Sequence, residues 1–390
     1  MIYFDNAATT FPKPAAVWTS MERCGRNYCG NPGRSGHLFS VKTGEAVFEA
    51  RMQIAEMIGA ENAMQILFTG NATEALNLGI KGILRKGDHV VTTSMEHNSV
   101  LRPLKALEKE GVETSIVKAE PDGSVRVEQI RDAIRKETRM IVCTHVSNVC
   151  GTILPVKKIG ALAKERQILF FIDASQSAGC LPIDVKAMGA DLLAAPGHKG
   201  LLGPQGTGFL YVSPDLNSCL NPLKQGGTGT ASKSMKQPSE FPEAYESGTL
   251  NAVGIVGLHA GMQWIRSLGG GCDRKGIESI HAWEQSLTKM IDETLRSMNH
   301  IVVYGPQDSE KKTGVTAFNI IGRNCETVAA KLSDVYGIAV RAGYHCAGPA
   351  HRSIGTWSTG AIRISVGPFN SKKETEQLLR AIYELSKDGN

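Results

Sequence analysis

Between residues 65 and 212 the chain alternates short apolar runs with longer amphipathic stretches. The apolar runs at 65–68, 89–93, 113–117, 140–144, 169–172, 191–195 and 208–212 have the length and bounding turn residues of buried strands. Stretches with helical spacing lie between the first five, at 74–84, 100–109, 127–135 and 156–165. Strands separated by helices require right-handed crossovers, and so predict an α/β fold with a large, mostly parallel seven-stranded sheet covered on both faces.

The flanks read differently. A Pro-broken opening and a glycine-rich loop, Cys29 to His37, precede a helix expected over 44–58. After the sheet, Gly226 to Thr230 and a polar stretch to Glu243 form a loop, followed by a helix over 252–268. The triple glycine Gly269-Gly270-Gly271 is the linker candidate. Beyond it the pattern predicts a smaller α+β unit, with helices at 277–298, 327–336 and 373–386 and strands at 301–304, 315–320, 338–341 and 362–366. The expected division is a segment 1–20 packing with the small unit, a large domain 21–268 and a small domain 269–390. No internal repeat or low-complexity tract occurs.

Composition narrows the function. The chain has 390 residues and a net charge of +5, without a run of like charge that would serve as a nucleic-acid arm. Nine cysteines at irregular spacings, with no Cys-x-x-Cys pair, give neither a zinc pattern nor a disulfide framework. The His and Asp spacings match no helix-based metal motif, so no metal is expected. No run of about 18 apolar residues is present, and an acid stands at position 5 where a signal peptide carries basic residues. The expectation is a cytoplasmic protein with no membrane or nucleic-acid partner.

In doubly wound sheets ligands bind beyond the carboxyl ends of the strands. The residues there are Thr69-Gly70-Asn71-Ala72-Thr73, Glu96-His97-Asn98, Ser147-Asn148, Asp173 with Gln176, and His198-Lys199. A lysine closing a buried strand loses hydration, which favours its free amine; the alternative is a solvated surface lysine. The Gly-Asn-Ala-Thr turn opening a helix is an anion site, or simply a helix start with Thr73 as its cap. Asp173, at the end of Leu169-Phe170-Phe171-Ile172, needs a cationic partner or several donors, unless it serves as a cap or in a salt bridge. Together, an anion cradle, an acid for a ring nitrogen, an imidazole and a strand-end lysine meet the needs of pyridoxal phosphate.

Seven blocks carry a resemblance over nearly the whole length: Phe4 to Thr10, Thr73 to Asn77, Glu96-His97-Asn98, Ser147 to Thr152, Asp173 to Gln176 with Gly197-His198-Lys199, Glu246-Ser247-Gly248-Thr249, and Arg341-Ala342-Gly343-Tyr344-His345-Cys346-Ala347. The chain resembles the class V aminotransferase-type, fold-type I pyridoxal phosphate enzymes, specifically the cysteine desulfurase and selenocysteine lyase family. The resemblance implies Lys199 as the Schiff-base residue, Asp173 at the pyridinium nitrogen and His97 against the ring face. It also implies Gln176 and Asn148 near the ring oxygen, and Thr73, Ala72, His198 and Thr249 at the phosphate. Thr249 would come from a second subunit, so a homodimer is implied. Arg363, with Arg341, would bind the substrate carboxylate; a structural ion pair is the alternative for Arg363.

Cys346 points to desulfuration. An ordinary thiol, of pKa about 8.5, is only a few per cent thiolate at neutral pH. Arg341 and His345 are the neighbours expected to favour the thiolate, or His345 to act as base. The implied reaction converts L-cysteine to L-alanine and leaves a persulfide on Cys346 for a protein sulfur acceptor, of the kind that feeds iron-sulfur cluster assembly. The short spacing from Cys346 to Arg363 resembles the sulfur-mobilisation branch with a short active-site loop. The alternatives are a lyase for L-selenocysteine on the same scaffold and a weakly catalytic sulfur-carrier or scaffold protein. Three departures stand out: Pro196 where relatives carry a phosphate-binding serine, Asn71-Ala72 for a Gly-Thr pair, and Tyr344 for a histidine beside the nucleophile.

Overall fold

The computed structural model describes residues 1–33, 35–216 and 219–387; Arg34 of the glycine-rich segment lies outside them. The chain opens with β1 (Ile2–Tyr3), α1 (Ala15–Asn27) and α2 (Leu38–Ile58) and then enters the central sheet. That part runs β2 (Ile66–Thr69), α3 (Ala72–Ile83), β3 (His89–Thr93), α4 (Asn98–Leu107), β4 (Glu113–Val117), α5 (Val127–Ala133), β5 (Thr138–Thr144), α6 (Val156–Glu165), β6 (Leu169–Asp173), β7 (Leu192–Pro196) and β8 (Gly208–Val212). The seven expected strands form one sheet in the order β2-β8-β7-β6-β5-β3-β4. All its pairings are parallel except the two made by β8.

Strands β3, β7 and β8 are buried along their whole length, as near-continuous apolar runs must be when helices cover both faces. One core holds Ile141, Phe170, Ile172 and Phe209, the other Leu76, Val142, Phe171 and Leu210, on opposite faces of the same strands. Helix α3 sits unusually close to the sheet. A Cβ at Gly79 would collide with the Phe171 ring, and one at Gly208 would meet the Asn71 backbone at 2.8 Å. Glycine at both positions therefore lets the start of α3 lie against the strand ends.

From β3 the chain crosses to β4 on one side and to β5 on the other, so the strand order reverses between β3 and β5. That reversal opens a crevice at the carboxyl ends. The residues after β3, β5, β6 and β7 all border it.

A second layer follows: α7 (Ala252–Leu268), α8 (Asp273–Arg296), β9 (Ile301–Tyr304), β10 (Val315–Ile320), α9 (Cys325–Asp334), β11 (Ile338–Ala339), β12 (Arg341–Gly343), α10 (Gly348–Ser353), β13 (Ala361–Ser365) and α11 (Lys372–Lys387). Its four-stranded antiparallel sheet has the order β12-β13-β10-β9. The N-terminus belongs to this layer: β1 pairs in parallel with β11, and Phe4 is fully buried in a core with Leu287, Phe318, Ile362 and Leu378.

Four local expectations change. Helix α1 was hidden because only Val17 and Cys24 of its residues are buried, and its packing on α7 carries residues 15–20 away from the small sheet. Helix α2 starts at Leu38 rather than residue 44, because His37 caps it through Nδ1 and its first turns are exposed. The strand expected over 338–341 is two strands, β11 joining β1 and β12 joining β13. Gly269 to Gly271 form a tight corner between α7 and α8, closed by the Arg266–Asp273 ion pair at 2.6 Å.

Phe4→Ala is expected to lower stability by about 3–5 kcal/mol, read as a lower urea midpoint; a loss below about 1 kcal/mol would show that the N-terminal strand is not part of the small core.

Candidate active site

The crevice is a cavity with about 780 Å³ of empty space, bounded below by the strand ends and on its flank by Arg341, His345 and Arg363 from the small layer. It brings together ten of the expected residues: Ala72, Thr73, His97, Asn148, Asp173, Gln176, His198, Lys199, Arg341 and Arg363. Cys346 lies at its rim, exposed to solvent. Thr249 is elsewhere, on an exposed surface where its hydroxyl accepts from Asn31 Nδ2 at 3.4 Å.

One end of the cavity suits an anion. Asn71, not Thr73, caps α3, its Oδ1 accepting from the Glu74 amide at 2.9 Å. Ala72 and Thr73 form the first turn of α3, where intrahelical partners for the amides are lacking and the helix dipole is positive. Thr73 Oγ1 contacts Ser99 Oγ at 2.8 Å, and Ser99 Oγ in turn contacts His97 Nδ1 at 2.9 Å, so the anion end and the imidazole are tied together. His198 Nδ1 is buried with no partner among the described residues, and burial pushes that imidazole down to about 4, so it is neutral.

The centre is polarised. Asp173 is 2% exposed at the end of β6. Its Oδ1 accepts from the Ser175 amide at 2.9 Å, and it makes no ion pair among the described residues. Lys199 opens onto the cavity but is surrounded by protein, and burial pulls its pKa down to about 8; Asp173 opposes that shift while Arg363 and Arg341 add to it. His97 caps α4, its Nδ1 accepting from the Ser99 amide at 3.1 Å, which leaves the ring proton on Nε2. Burial lowers its pKa also, against the attraction of Asp173. Gln176 is held by its donation to Ala7 O at 3.0 Å.

The other end carries two guanidinium groups. Arg363 is 1% exposed; its Nη2 pairs with Asp5 Oδ1 at 2.7 Å, Nη1 donates to Asn148 O at 3.0 Å, and Nε has no partner among the described residues. The structural ion pair therefore exists, and it orients the fork while leaving donors unused. Asn148 donates through Nδ2 to His345 O at 2.7 Å.

Arg341 Nη2 stands 4.0 Å from Cys346 Sγ. His345 does not supply a charge: burial, and then Arg363, push its pKa well below the usual value, so it is a neutral imidazole. Tyr344 departs from the related pattern without disturbing the loop, its hydroxyl donating to Trp357 O at 2.8 Å.

Sequence reading missed Asp5 as the partner of Arg363 and Ser99 as the bridge between Thr73 and His97. It also missed His351 and Thr356 behind the Cys346 loop. Asp5 lies in the Phe4 to Thr10 block, but only its bridge to Ser365 shows its role; Ser99 on α4, His351 on the short helix α10 and Thr356 just beyond it carry no motif. Chemically the cavity combines a free amine, a buried carboxylate, an anion cradle, a carboxylate clamp and a thiol at the rim.

A family model described as aminotransferase class-V matches residues 2–378. A probable cysteine desulfurase of Methanothermobacter thermautotrophicus is 37% identical over 99% of this chain and 94% of its own length. A second, of Pyrococcus abyssi, is 35% identical over 99% and 94%. Among solved structures, the apo form of a cysteine desulfurase from Thermococcus onnurineus superimposes with a TM-score of 0.91 at 35% identity, covering 99% of this chain and 94% of that one.

The low Lys199 pKa has a direct readout. On protein freed of bound carbonyl compounds, reductive alkylation of Lys199 by a small aldehyde is expected to rise with pH through a midpoint near 8, because only the free amine reacts. A midpoint near the ordinary lysine value of about 10.4 would contradict the burial argument.

Proposed function

We propose that this chain, which belongs to the aminotransferase class-V family, is a pyridoxal phosphate-dependent cysteine desulfurase that takes sulfur from L-cysteine as a persulfide on Cys346 and releases L-alanine. The observation that carries the reading is that Cys346 stands next to two residues, Arg341 and His345, that line the same cavity as Lys199 and Asp173.

The residues fit the cofactor on their own evidence. Ala72 and Thr73 open a helix at one end of the cavity, and among the described residues His198 Nδ1 is an orphaned buried atom and the Asp173 carboxylate makes no ion pair. Ala72, Thr73 and His198 would hold the phosphate, Asp173 the ring nitrogen, Gln176 and His97 the ring, and Lys199 the aldehyde carbon. Pro196 brings no hydroxyl to the phosphate end, so the helix amides carry more of it. Bound there, the group supplies an electron sink for the carbons of an attached amino acid.

The chain's own residues do the remainder. Arg363, oriented by Asp5, and Arg341 bind the substrate carboxylate at the end of the cavity nearest Cys346. Lys199, with a pKa near 8, can give and take a proton close to neutral pH. Asn148 keeps the Cys346 loop against the large layer through His345. In the net reaction the carbon–sulfur bond of L-cysteine breaks and a sulfur–sulfur bond forms on Cys346. The thiol proton balances the new carbon–hydrogen bond of alanine, and no external oxidant or reductant is needed.

Two further readings belong to this proposal. Leu38, Val41, Phe48 and Met52 form an exposed apolar stripe on α2, and Phe48 lines a surface hollow together with Asn31, the hydrogen-bond neighbour of Thr249. That supports a homodimer in which Thr249 of one copy reaches the phosphate end of the other. The exposure of Cys346 supports transfer of its sulfur to a protein acceptor. Cysteines without a disulfide framework suit a reducing cytoplasm, and no helix of the described residues is long and apolar enough to cross a membrane.

Cys346→Ala is expected to lower alanine release from L-cysteine by about a hundredfold or more while leaving the visible absorption of the bound cofactor intact. Lys199→Ala is expected to abolish that absorption. Wild-type alanine release by Cys346→Ala would sink the persulfide route, and an unchanged spectrum in Lys199→Ala would sink the cofactor assignment. Sedimentation is expected to show twice the chain mass; a monomer would contradict the shared site.

A further inference from the structure

His345 and Cys346 are consecutive non-glycine residues in the left-handed region, at φ of +50° and +57°. In that region the Cβ of an L-residue crowds its own carbonyl, so the loop keeps this shape only where its surroundings hold it. Three backbone anchors do part of the holding. The Asn98 amide donates to Cys346 O at 2.7 Å, Asn148 Nδ2 to His345 O at 2.7 Å, and the Ala347 amide to Tyr344 O at 2.9 Å.

A side-chain relay does the rest. His345 Nδ1 lies 3.4 Å from His351 Nε2, with the two rings within 16° of parallel, and His351 Nδ1 lies 2.7 Å from Thr356 Oγ1. All three side chains are buried, and the Thr356 amide also donates to His351 O at 2.8 Å. Burial keeps both imidazoles neutral, His351 pushed down to about 4 and His345 well below its usual value. Each ring therefore has one N–H and one bare nitrogen; the His345–His351 contact needs a hydrogen on one side and a bare nitrogen on the other, and the Thr356 hydroxyl, able to donate or accept, satisfies His351 Nδ1 in either arrangement. At the far end His345 Nε2 has no protein partner, on a residue that lines the cavity beside Arg341 and Arg363.

We propose that His351 and Thr356 are positioning residues for sulfur transfer: through the relay they fix the orientation of the His345 ring and so hold Cys346 in its strained pose at the cavity rim. Without the hydroxyl, His351 Nδ1 loses its buried partner, the left-handed pair relaxes, and Sγ leaves its place beside Arg341. The reaction rests on the desulfurase reading; the geometry does not.

Thr356→Val keeps the volume and removes the hydroxyl, whereas Thr356→Ser keeps the hydroxyl. For Thr356→Val the expected result is a kcat for alanine release lowered about tenfold with KM changed less than about twofold. Alkylation of Cys346 by iodoacetamide, followed by peptide mass spectrometry against exposed Cys272, is expected to slow about fivefold. His351→Leu should behave like Thr356→Val, and Thr356→Ser should stay within about threefold of wild type on both readouts. Wild-type kcat and alkylation in Thr356→Val would overturn the proposal. So would a Thr356→Ser protein as impaired as Thr356→Val, which would assign the effect to packing. If the wild type itself makes no alanine from L-cysteine, the desulfurase reading falls, and the alkylation comparison alone still decides the relay.

Discussion

The buried Arg363 guanidinium is the contact on which the other features depend. Its fork joins the Asp5 carboxylate, just after β1, to the Asn148 carbonyl, in the loop after β5, while the residue itself belongs to β13 near the end of the chain. Asn148 then passes the connection to the Cys346 loop. Burial disfavours the arginine charge and Asp5 opposes that effect. Removing one partner of such a pair commonly costs about 3–5 kcal/mol, because the other charge stays buried alone. The pair therefore fixes the two layers around the cavity, and it orients donors toward the place where a substrate carboxylate would lie.

Burial also sorts the titratable groups by role. Lys199 is shifted toward its free amine, and His97, His198 and His345 are shifted toward neutral rings. Glu96, packed behind the strand ends, is raised to about 8 by burial even though Thr93 and the Thr144 amide bond it, so it is protonated at neutral pH. Its neutrality leaves Asp173 without a competing negative charge nearby. The positive charge facing the cavity lies on Lys199, which at a pKa of about 8 is still mostly protonated at neutral pH, and, at one end, on Arg341 and Arg363. An amino-acid substrate would be oriented with its carboxylate there.

Much of this was legible in the chain because the signal was local. Apolar runs such as Leu169 to Ile172 can only be buried strands, and the strand ends name Asp173, Lys199 and His97 directly. What escaped was set by packing between distant segments. Asp5 looks like an ordinary acid until β1 is registered against β11 and Asp5 against Ser365. Helix α1 lacks a buried stripe, and the 338–341 run reads as one strand although its halves join different sheets. His345 was expected as a possible cation, which its burial forbids. Thr249 stands away from the cavity of its own chain, which its place in the Glu246 to Thr249 block did not reveal.

The central claim is that the cavity delivers substrate sulfur to Cys346. The most direct test is a single turnover of the cofactor-loaded protein with limiting L-cysteine, quenched by alkylation and mapped by peptide mass spectrometry. The account predicts one added sulfur atom on the Cys346 peptide, in step with one alanine released for each sulfur gained. Alanine and free sulfide formed at the same rate with no sulfur ever found on Cys346 would contradict it.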